Sequence, residues 1–200
     1  MLGAEEPREM RAIAGRLTLM IAVIVSGLSV AGCTSRPAVD ERFVQAFNQP
    51  YQLDAGDKLR IIVFGQENLT NSYKVDDGGA LAMPLIGSVA ARGHTAKQLE
   101  GVITSRLAAK YLRDPHVSVE VEEYRPFFVL GEVNSAGQFP YVSDMTGETA
   151  VAIAGGFSPR AKKDMILVTR KVDGVVVSQQ VPINYPILPG GTVQVQERWF

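Results

Sequence analysis

Two kinds of side chain in this 200-residue chain could carry acid–base or metal chemistry, namely two adjacent carboxylates and two histidines. Glycoside cleavage needs two carboxyl groups that face each other across a sugar, whereas Asp76 and Asp77 are neighbours in a Gly-rich turn, where successive side chains point apart. His94 and His116 bracket a predicted helix and have no His or Cys partner at metal-ligand spacing. Gly155-Gly156 follows a predicted helix and lacks the lysine of a phosphate-binding loop. The sequence therefore predicts a protein that is not an enzyme, with no catalytic residue, no metal site and no cofactor.

The single cysteine, Cys33, has the most distinctive surroundings in the chain. It can form no intramolecular disulfide, and a catalytic thiolate would need a histidine within reach in a structured pocket. Arg8, Arg11 and Arg16 precede an apolar run at 17–31, which at about 15 residues is shorter than the roughly 20 that cross a bilayer. A basic flank before such a run is typical of a secretory signal peptide.

The signal-like segment ends in Val30-Ala-Gly-Cys33, which resembles a bacterial lipobox. That resemblance implies cleavage between Gly32 and Cys33, a lipoprotein signal peptide over residues 1–32, and lipid attachment at Cys33. Thr34 is not the Asp that in many Gram-negative lipoproteins signals retention in the inner membrane. The resemblance therefore implies a lipid anchor in the outer membrane, with the protein facing the periplasm.

The residues after the cysteine are expected to form a tether. Residues 33–50 mix prolines and charges with only scattered apolar side chains. Phe43, Val44 and Phe47 could form a turn of helix that docks on the folded body.

The composition bounds the class of protein. With 46% hydrophobic and 20% charged residues, the chain is an ordinary globular protein with room for one or two small domains. Its formal net charge is -1, whereas a nucleic-acid-binding protein needs a basic face to neutralise phosphates. Nucleic acid is therefore excluded as a partner.

The first predicted element is a turn that leads into a strand. Asp54–Asp57 supplies the Asx and Gly chemistry of a tight turn. Leu59, Ile61 and Val63 then alternate with Lys58, Arg60 and Ile62, as in a strand over 58–64 with one buried face. Asp77-Gly78 is a type I′ hairpin signal. We therefore expect residues 81–84 to fold back on residues 73–75.

The next element is an amphipathic helix. Thr95–Gln98 forms a capping box at its start, and Asp114-Pro115 should end it, because the residue before proline is disfavoured in helical conformation. Residues 116–124 then alternate as a half-buried strand. The apolar stripe that should pack on this strand consists of Leu99, Val102, Ile103, Leu107 and Tyr111.

The second half repeats the order of strands, one helix and more strands. Arg125-Pro126 is the predicted boundary, so that the domains are 51–125 and 126–200. Asp173-Gly174 predicts a hairpin, and Thr146 should cap a short helix that Gly155-Gly156 terminates. The remaining predicted strands are 127–133, 138–142, 165–172, 175–181 and 192–196. This order predicts two small α+β units in tandem.

The resemblance to a known family covers most of the predicted body. Residues 51–69, 75–107 and 111–126 resemble the polysaccharide export domain of bacterial outer-membrane export lipoproteins. Residues 127–141 and 152–170 resemble the soluble-ligand-binding β-grasp domain that follows it in that family, as does the closing stretch 188–200. The resemblance implies a mixed sheet with one main helix, then a β-grasp-like domain. Gly147 is a local departure, since it stands where a helix would normally prefer an apolar residue.

The resemblance also implies a function. It suggests a subunit of a capsule or exopolysaccharide export complex that forms a homo-oligomeric ring and part of the translocation conduit. Its expected partners are the polysaccharide cargo, an inner-membrane polysaccharide co-polymerase with its tyrosine kinase, and a separate outer-membrane pore protein. The separate pore is expected because the chain, ending at Phe200, resembles the short type without a C-terminal membrane helix.

Two alternatives remain open from the residues. One is a monomeric periplasmic lipoprotein that binds a glycan or another soluble ligand. The other, less supported, is a periplasmic hydrolase or transpeptidase. Several dispersed aromatic residues could stack on sugars, although such residues more often lie in cores or interfaces. They are Tyr51, Tyr73, Tyr124, Tyr141, Tyr185 and Trp199.

Overall fold

The computed structural model describes residues 43–44, 49–172 and 174–199. One compact unit spans Val39–Phe200; the other, Met1–Ala38, lies outside the described residues, and so do Gly32 and Cys33. In order along the chain, the elements are β1 (Lys58–Val63), a 3-10 helix (Glu67–Leu69), β2 (Asn71–Lys74), β3 (Ala80–Met83), β4 (Gly87–Ala90), α1 (Ala96–Lys110), β5 (Val117–Glu123), β6 (Phe127–Gly131), β7 (Gly137–Phe139), α2 (Gly147–Ile153), β8 (Ala161–Val172), β9 (Val175–Pro182) and β10 (Thr192–Glu197). This is an α+β fold, as the sequence predicts.

The first core lies between α1 and two small sheets. One sheet has the order β2-β1-β5 with antiparallel pairs, and the other pairs β3 with β4. In the first sheet Leu59 pairs with Val121 and Ile61 with Val119, which places the alternating apolar residues of both strands on the face that α1 covers. The predicted strands at 58–64 and 116–124 are therefore confirmed.

Helix α1 begins as predicted and ends earlier. Thr95 and Gln98 form a complete capping box, and Leu99, Ile103 and Leu107 are fully buried. Tyr111 caps the C-terminus and is 47% exposed. The assignment of Tyr111 to the buried stripe was wrong, because the helix ends one residue before it.

The predicted hairpin at Asp77-Gly78 is wrong. β3 pairs with β4, and β2 pairs with β1. Gly79, with φ +82, is the glycine of this turn that has a positive φ, and the Asp76 carboxylate accepts a hydrogen bond from the Ala80 amide at 2.9 Å. This wider turn closed by Asp76 lets the chain leave β2 and form a separate ribbon.

The second half forms one five-stranded mixed sheet in the order β7-β6-β10-β8-β9. β10 lies in the middle, parallel to β6 and antiparallel to β8. In chain order, α2 lies between β7 and β8, the second and third strands of this sheet. This is the β-grasp arrangement that the resemblance implies. The hairpin between β8 and β9 is confirmed, since Val172 pairs with Val175 and Gly174 has φ +82.

The packing of α2 on the sheet explains why a glycine stands at position 147. Thr146 caps the helix through a hydrogen bond that its side chain accepts from the Thr149 amide. A Cβ added at Gly147 would collide with Ile166 Cδ1 and lie 2.6 Å from the Ile183 carbonyl oxygen. The residue is small because the first turn of α2 packs directly on the sheet, with no room for a side chain.

Phe43 belongs to the second core. It is fully buried, its ring stacks on Tyr185 with centroids 5.6 Å apart, and the Arg170 guanidinium carbon lies 3.7 Å from its ring centroid. The expected docking of this segment is therefore confirmed for Phe43. Val44 is 43% exposed, and Phe47 lies outside the described residues.

Within the described ranges, neither helix has the length and apolar character needed to cross a bilayer.

Candidate functional site

The described structure contains a cavity with a volume of about 380 Å³. It opens where the segment before β1, the junction between β5 and β6, the end of β8 and the loop before β10 come together. It is lined by Gln49, Pro50, Tyr51, Gln52, Asp54, Arg125, Arg170, Lys171, Val172, Leu188, Pro189 and Gly190. This volume falls within the range of about 300–1,000 Å³ that is usual for small-molecule sites.

A buried carboxylate holds one wall of the cavity in place. Asp57 is fully buried and accepts a hydrogen bond from the Tyr51 hydroxyl, whose oxygen lies 2.8 Å from Oδ1 and 2.7 Å from Oδ2. It also accepts one from the Arg125 amide at 2.8 Å, and Arg125 Nη1 lies 3.2 Å from its Oδ2. Arg125 Nη1 donates in addition to the Tyr51 hydroxyl oxygen at 2.9 Å. One carboxylate thus ties the start of the first sheet to the junction with the second half.

The protonation state of Tyr51 follows from these surroundings. Burial raises its pKa well above its usual range; the charge of Arg125 opposes this, and the charge of Asp57 adds to it. Burial, with the nearby Asp144, raises the pKa of Tyr141 to about 12. Both phenols are therefore protonated at neutral pH, and that of Tyr51 can donate to Asp57.

Three tyrosines continue from the cavity wall into the second half. Tyr51 contacts Tyr124 edge-on at 5.0 Å between centroids, and Tyr124 contacts Tyr141 in the same way at 5.5 Å. The Tyr141 hydroxyl donates to the Ile187 carbonyl at 3.0 Å. These aromatics pack with one another, and among them only Tyr51 lines the cavity.

The other aromatic candidates for sugar stacking are not among the residues that line the cavity. Tyr73 is buried in the first core, and its hydroxyl donates to the Leu69 carbonyl at 2.8 Å. Tyr185 stacks on Phe43. Trp199 is 89% exposed near the end of the chain.

The partners of the Arg125 side chain, Tyr51 and Asp57, form hydrogen bonds only with its Nη1 atom. Its side chain is 23% exposed, and among the described residues no hydrogen bond involves its Nε or Nη2. Its guanidinium lies against Gly190, where an added Cβ would be 2.6 Å from Nε. The Nε and Nη2 side of the guanidinium therefore retains two donors at the cavity wall.

The other charged groups of the lining differ in their state. Asp54 is paired with Arg92, with 2.6 Å between Oδ1 and Nε. Burial works against ionisation of Asp54, but hydrogen bonds from Arg92 and Ala55 and the charge of Arg125 lower its pKa overall. Lys171 is exposed. Arg170 is 6% exposed, and burial lowers its pKa.

The residues singled out from sequence do not converge on a site. Asp76 closes a turn, Asp77 is exposed, and His116 Nδ1 lies 3.1 Å from the Asp114 carbonyl. His94 follows the β3–β4 ribbon. Across the described ranges, no group of three His, Cys, Asp or Glu side chains is placed to hold a metal ion.

Sequence reasoning missed the Tyr51–Asp57–Arg125 cluster. Asp57 was interpreted as a turn residue and Arg125 as a boundary, and each interpretation is correct locally. One signal was available: Asp57 is charged and stands directly before a strand whose buried face begins at Leu59. Its partner, however, is 68 positions away in sequence, and no local pattern connects them.

Comparison with known proteins gives a consistent result. Residues 45–122 match the model of the family described as polysaccharide biosynthesis/export protein. The exopolysaccharide production protein ExoF of Rhizobium meliloti (strain 1021) is 31% identical over 153 residues, which is 70% of this chain and 33% of ExoF. A polysialic acid transport protein KpsD of Escherichia coli is 23% identical over 151 residues, 74% of this chain and 27% of KpsD. The chain thus spans a third or less of these curated relatives.

Proposed function

The chain belongs to the polysaccharide export protein family, and from that membership we propose that it is a lipid-anchored subunit of a capsule or exopolysaccharide export complex. The observation that carries the proposal is the family match over residues 45–122, which coincides with the unit built on β1 to β5 and α1. By name, ExoF is an exopolysaccharide production protein and KpsD a polysialic acid transport protein. The proposed role is structural: the subunit forms part of the conduit and does not catalyse a reaction.

The proposed location is the periplasmic face of the outer membrane, through a lipid on Cys33. Support comes from the lipobox-like residues before Cys33 and from Thr34 after it. We predict that Cys33→Ser leaves the folded body intact and releases the protein from the outer membrane, because the described fold begins at Phe43. Membrane fractionation with thermal melting of both forms checks this. A Ser variant that still fractionates with the outer membrane would contradict lipid anchoring.

The proposed partners are those that the family resemblance implies. We propose a homo-oligomeric ring that receives the polymer from an inner-membrane polysaccharide co-polymerase and its tyrosine kinase, and delivers it to a separate outer-membrane pore protein. The strands β2, β7 and β9 lie at sheet edges in the described fold, and edge strands offer backbone groups for pairing with neighbouring chains.

The test is the fate of the polymer in a strain that lacks the gene. We expect synthesis to continue while surface polysaccharide is lost and polymer accumulates inside the envelope. The wild-type gene should restore the surface polymer, and a truncation ending at Pro50 should not. Normal surface polysaccharide in the deletion strain, with no second copy of the gene, would overturn the proposal.

A second candidate is a monomeric periplasmic lipoprotein that binds a soluble ligand. The cavity beside Tyr51 and Arg125 favours it, since its volume of about 380 Å³ suits a small ligand. Light scattering of the lipidated protein in detergent and in vesicles separates the two functions. A monomer under both conditions would favour the binding lipoprotein, and a closed oligomer would favour the export subunit.

A further inference from the structure

We propose that the cavity beside Arg125 binds the carboxylate of an acidic sugar residue, with Arg125 and Lys171 as its cationic contacts. The proposal rests on the proposed export function and deepens it, because it names acidic polysaccharide as the class of cargo. It starts from two donors of Arg125 that the folded body leaves available.

Contacts with Asp57 and Tyr51 fix the orientation of Arg125. Nη1 is held by Asp57 at 3.2 Å and by the Tyr51 hydroxyl at 2.9 Å, and the Arg125 backbone amide is held by Asp57. The remaining donors, on Nε and Nη2, lie in the guanidinium plane along one side of the group. That side matches the two oxygens of a planar carboxylate, and such bidentate pairs are among the stronger hydrogen-bonded contacts in proteins.

Gly190 leaves space for this arrangement. Its backbone φ is +76, and an added Cβ would lie 2.6 Å from Nε and 3.0 Å from Cδ of Arg125. Any side chain at position 190 would therefore push the guanidinium away from the loop before β10. The missing side chain at position 190 therefore lets Arg125 keep its place in the cavity wall.

The charge of the lining favours an anion. Asp54, the acidic residue among the lining residues, is already paired with Arg92 at 2.6 Å and accepts a hydrogen bond from Ala55. Asp57 is buried behind Arg125 and paired with it. Lys171 adds an exposed cation near the end of β8. Because the Asp54–Arg92 and Asp57–Arg125 ion pairs are each neutral overall, Lys171 adds a positive charge that neither pair offsets.

The other walls suit a sugar ring. Pro50, Leu188 and Pro189 provide apolar surface, and the Tyr51 ring lies beside them. Sites for small polar ligands combine such apolar walls with a few convergent polar groups. A carboxylated pyranose has a planar anionic group for Arg125 and apolar C–H faces for these walls.

The experiment is calorimetric titration of the full chain in detergent micelles with a tetramer of glucuronic acid. Its carboxyl-reduced counterpart, the glucose tetramer of the same linkage, and inorganic phosphate serve as comparison ligands. We expect the acidic tetramer to bind at least tenfold more tightly than either, with an affinity that falls as salt rises.

Two variants probe the site and two serve as matched controls. Lys171→Gln removes the exposed cation, and Gly190→Ala displaces Arg125 without changing any charge. We expect each to weaken binding about tenfold, which corresponds to ~1.4 kcal/mol. Lys110→Gln removes an exposed cation at the end of α1, and Gly174→Ala adds a Cβ at another positive φ where nothing lies within 4 Å. Both controls should bind within twofold of the wild type.

Four results would overturn the inference: no binding of the acidic tetramer at millimolar concentration, equal binding of the neutral tetramer, equal binding of phosphate, or wild-type affinity in Lys171→Gln. If Gly190→Ala fails to fold, Lys171→Gln alone decides. The titration is independent of export in cells, so loss of this inference leaves the deletion test of the proposed function untouched.

Discussion

At the scale of single residues, Asp57 determines how the first sheet meets the second half of the chain. Its carboxylate is fully buried and accepts hydrogen bonds from the amides of Asp54 and Arg125 and from the Tyr51 hydroxyl, besides the ion pair with Arg125. A buried carboxylate is tolerated only with such partners. Removing it leaves several partly buried donors without this acceptor.

We predict that Asp57→Ala lowers the free energy of unfolding by about 3 kcal/mol, the lower end of the range for breaking a buried ion pair. The lower end applies because the Arg125 side chain remains 23% exposed. Urea unfolding followed by circular dichroism measures the change. The exposed Asp77 provides the control, since Asp77→Ala should stay within about 0.5 kcal/mol of the wild type. Equal stability of both variants would contradict the role of Asp57.

Tyr51 makes stability depend on alkaline pH. Its pKa is raised in the folded state, so above the unfolded value of about 10 the native state binds more protons than the unfolded state. Stability is then fully present below pH 10 and is lost as pH rises, by up to about 1.4 kcal/mol per pH unit for one group. Tyr141, with a pKa of about 12, adds to the loss between those values.

We predict that Tyr51→Phe flattens this alkaline decline, because the substitution removes one of the titrating groups. Denaturant unfolding at intervals between pH 9 and pH 12 gives the slope for each protein. The variant should be less stable than the wild type at pH 8 by about 1 kcal/mol, from the lost hydrogen bonds. An unchanged slope would show that Tyr51 does not titrate differently in the two states.

The residue scale is also where sequence reasoning reached least far. Local chemistry correctly identified Asp57 as part of a turn and Thr95 as a helix cap, because both roles depend on neighbours within a few positions. The contact between Asp57 and Arg125 joins residues 68 positions apart, and the cavity that Arg125 borders combines four separate segments. Such a site depends on how the elements pack, which a single sequence does not show.

At the scale of elements, periodicity predicted most of the strands and both helices correctly. The alternation at 58–64 and 116–124 and the stripe at Leu99, Ile103 and Leu107 match the buried faces of β1, β5 and α1. The failure was the pairing of β3. Asp77-Gly78 was given the positive φ that Gly79 has, so a ribbon with β4 was interpreted as a hairpin with β2.

The two helical glycines provide a matched test of element packing. Gly147→Ala would drive a Cβ into Ile166 and the Ile183 carbonyl, and we predict a loss of about 1–3 kcal/mol, typical of overpacking. Gly101 lies on the exposed side of α1 with nothing within 4 Å. Gly101→Ala should therefore stabilise the protein by roughly 0.5–1 kcal/mol, because alanine is the better helix former. Thermal melting of both variants checks the opposite signs.

At the scale of the whole molecule, the described part of the chain contains two hydrophobic cores, both within the compact unit Val39–Phe200. The first core belongs to the part of the chain that matches the export family, and the second is closed by Phe43. The resemblance seen in the sequence is confirmed at the level of the family. The division at Arg125 into 51–125 and 126–200 stays a prediction.

The proposed function implies that the part of the chain folded around α1 is required to move polysaccharide to the cell surface. Ile103 is fully buried in its core, and Ser105 is exposed on the same helix. Ile103→Asp places a charge in an apolar core, whereas Ser105→Asp places it in water. The two variants therefore gain the same charge, and we expect only Ile103→Asp to disrupt the first core.

The deciding measurement is the ratio of surface to cell-retained polysaccharide in the deletion strain complemented with each gene. We predict that the wild type and Ser105→Asp restore a high ratio, while Ile103→Asp leaves polymer inside the envelope at an unchanged total amount. A high ratio with Ile103→Asp, or in the deletion strain itself, would contradict the claim that this protein exports polysaccharide.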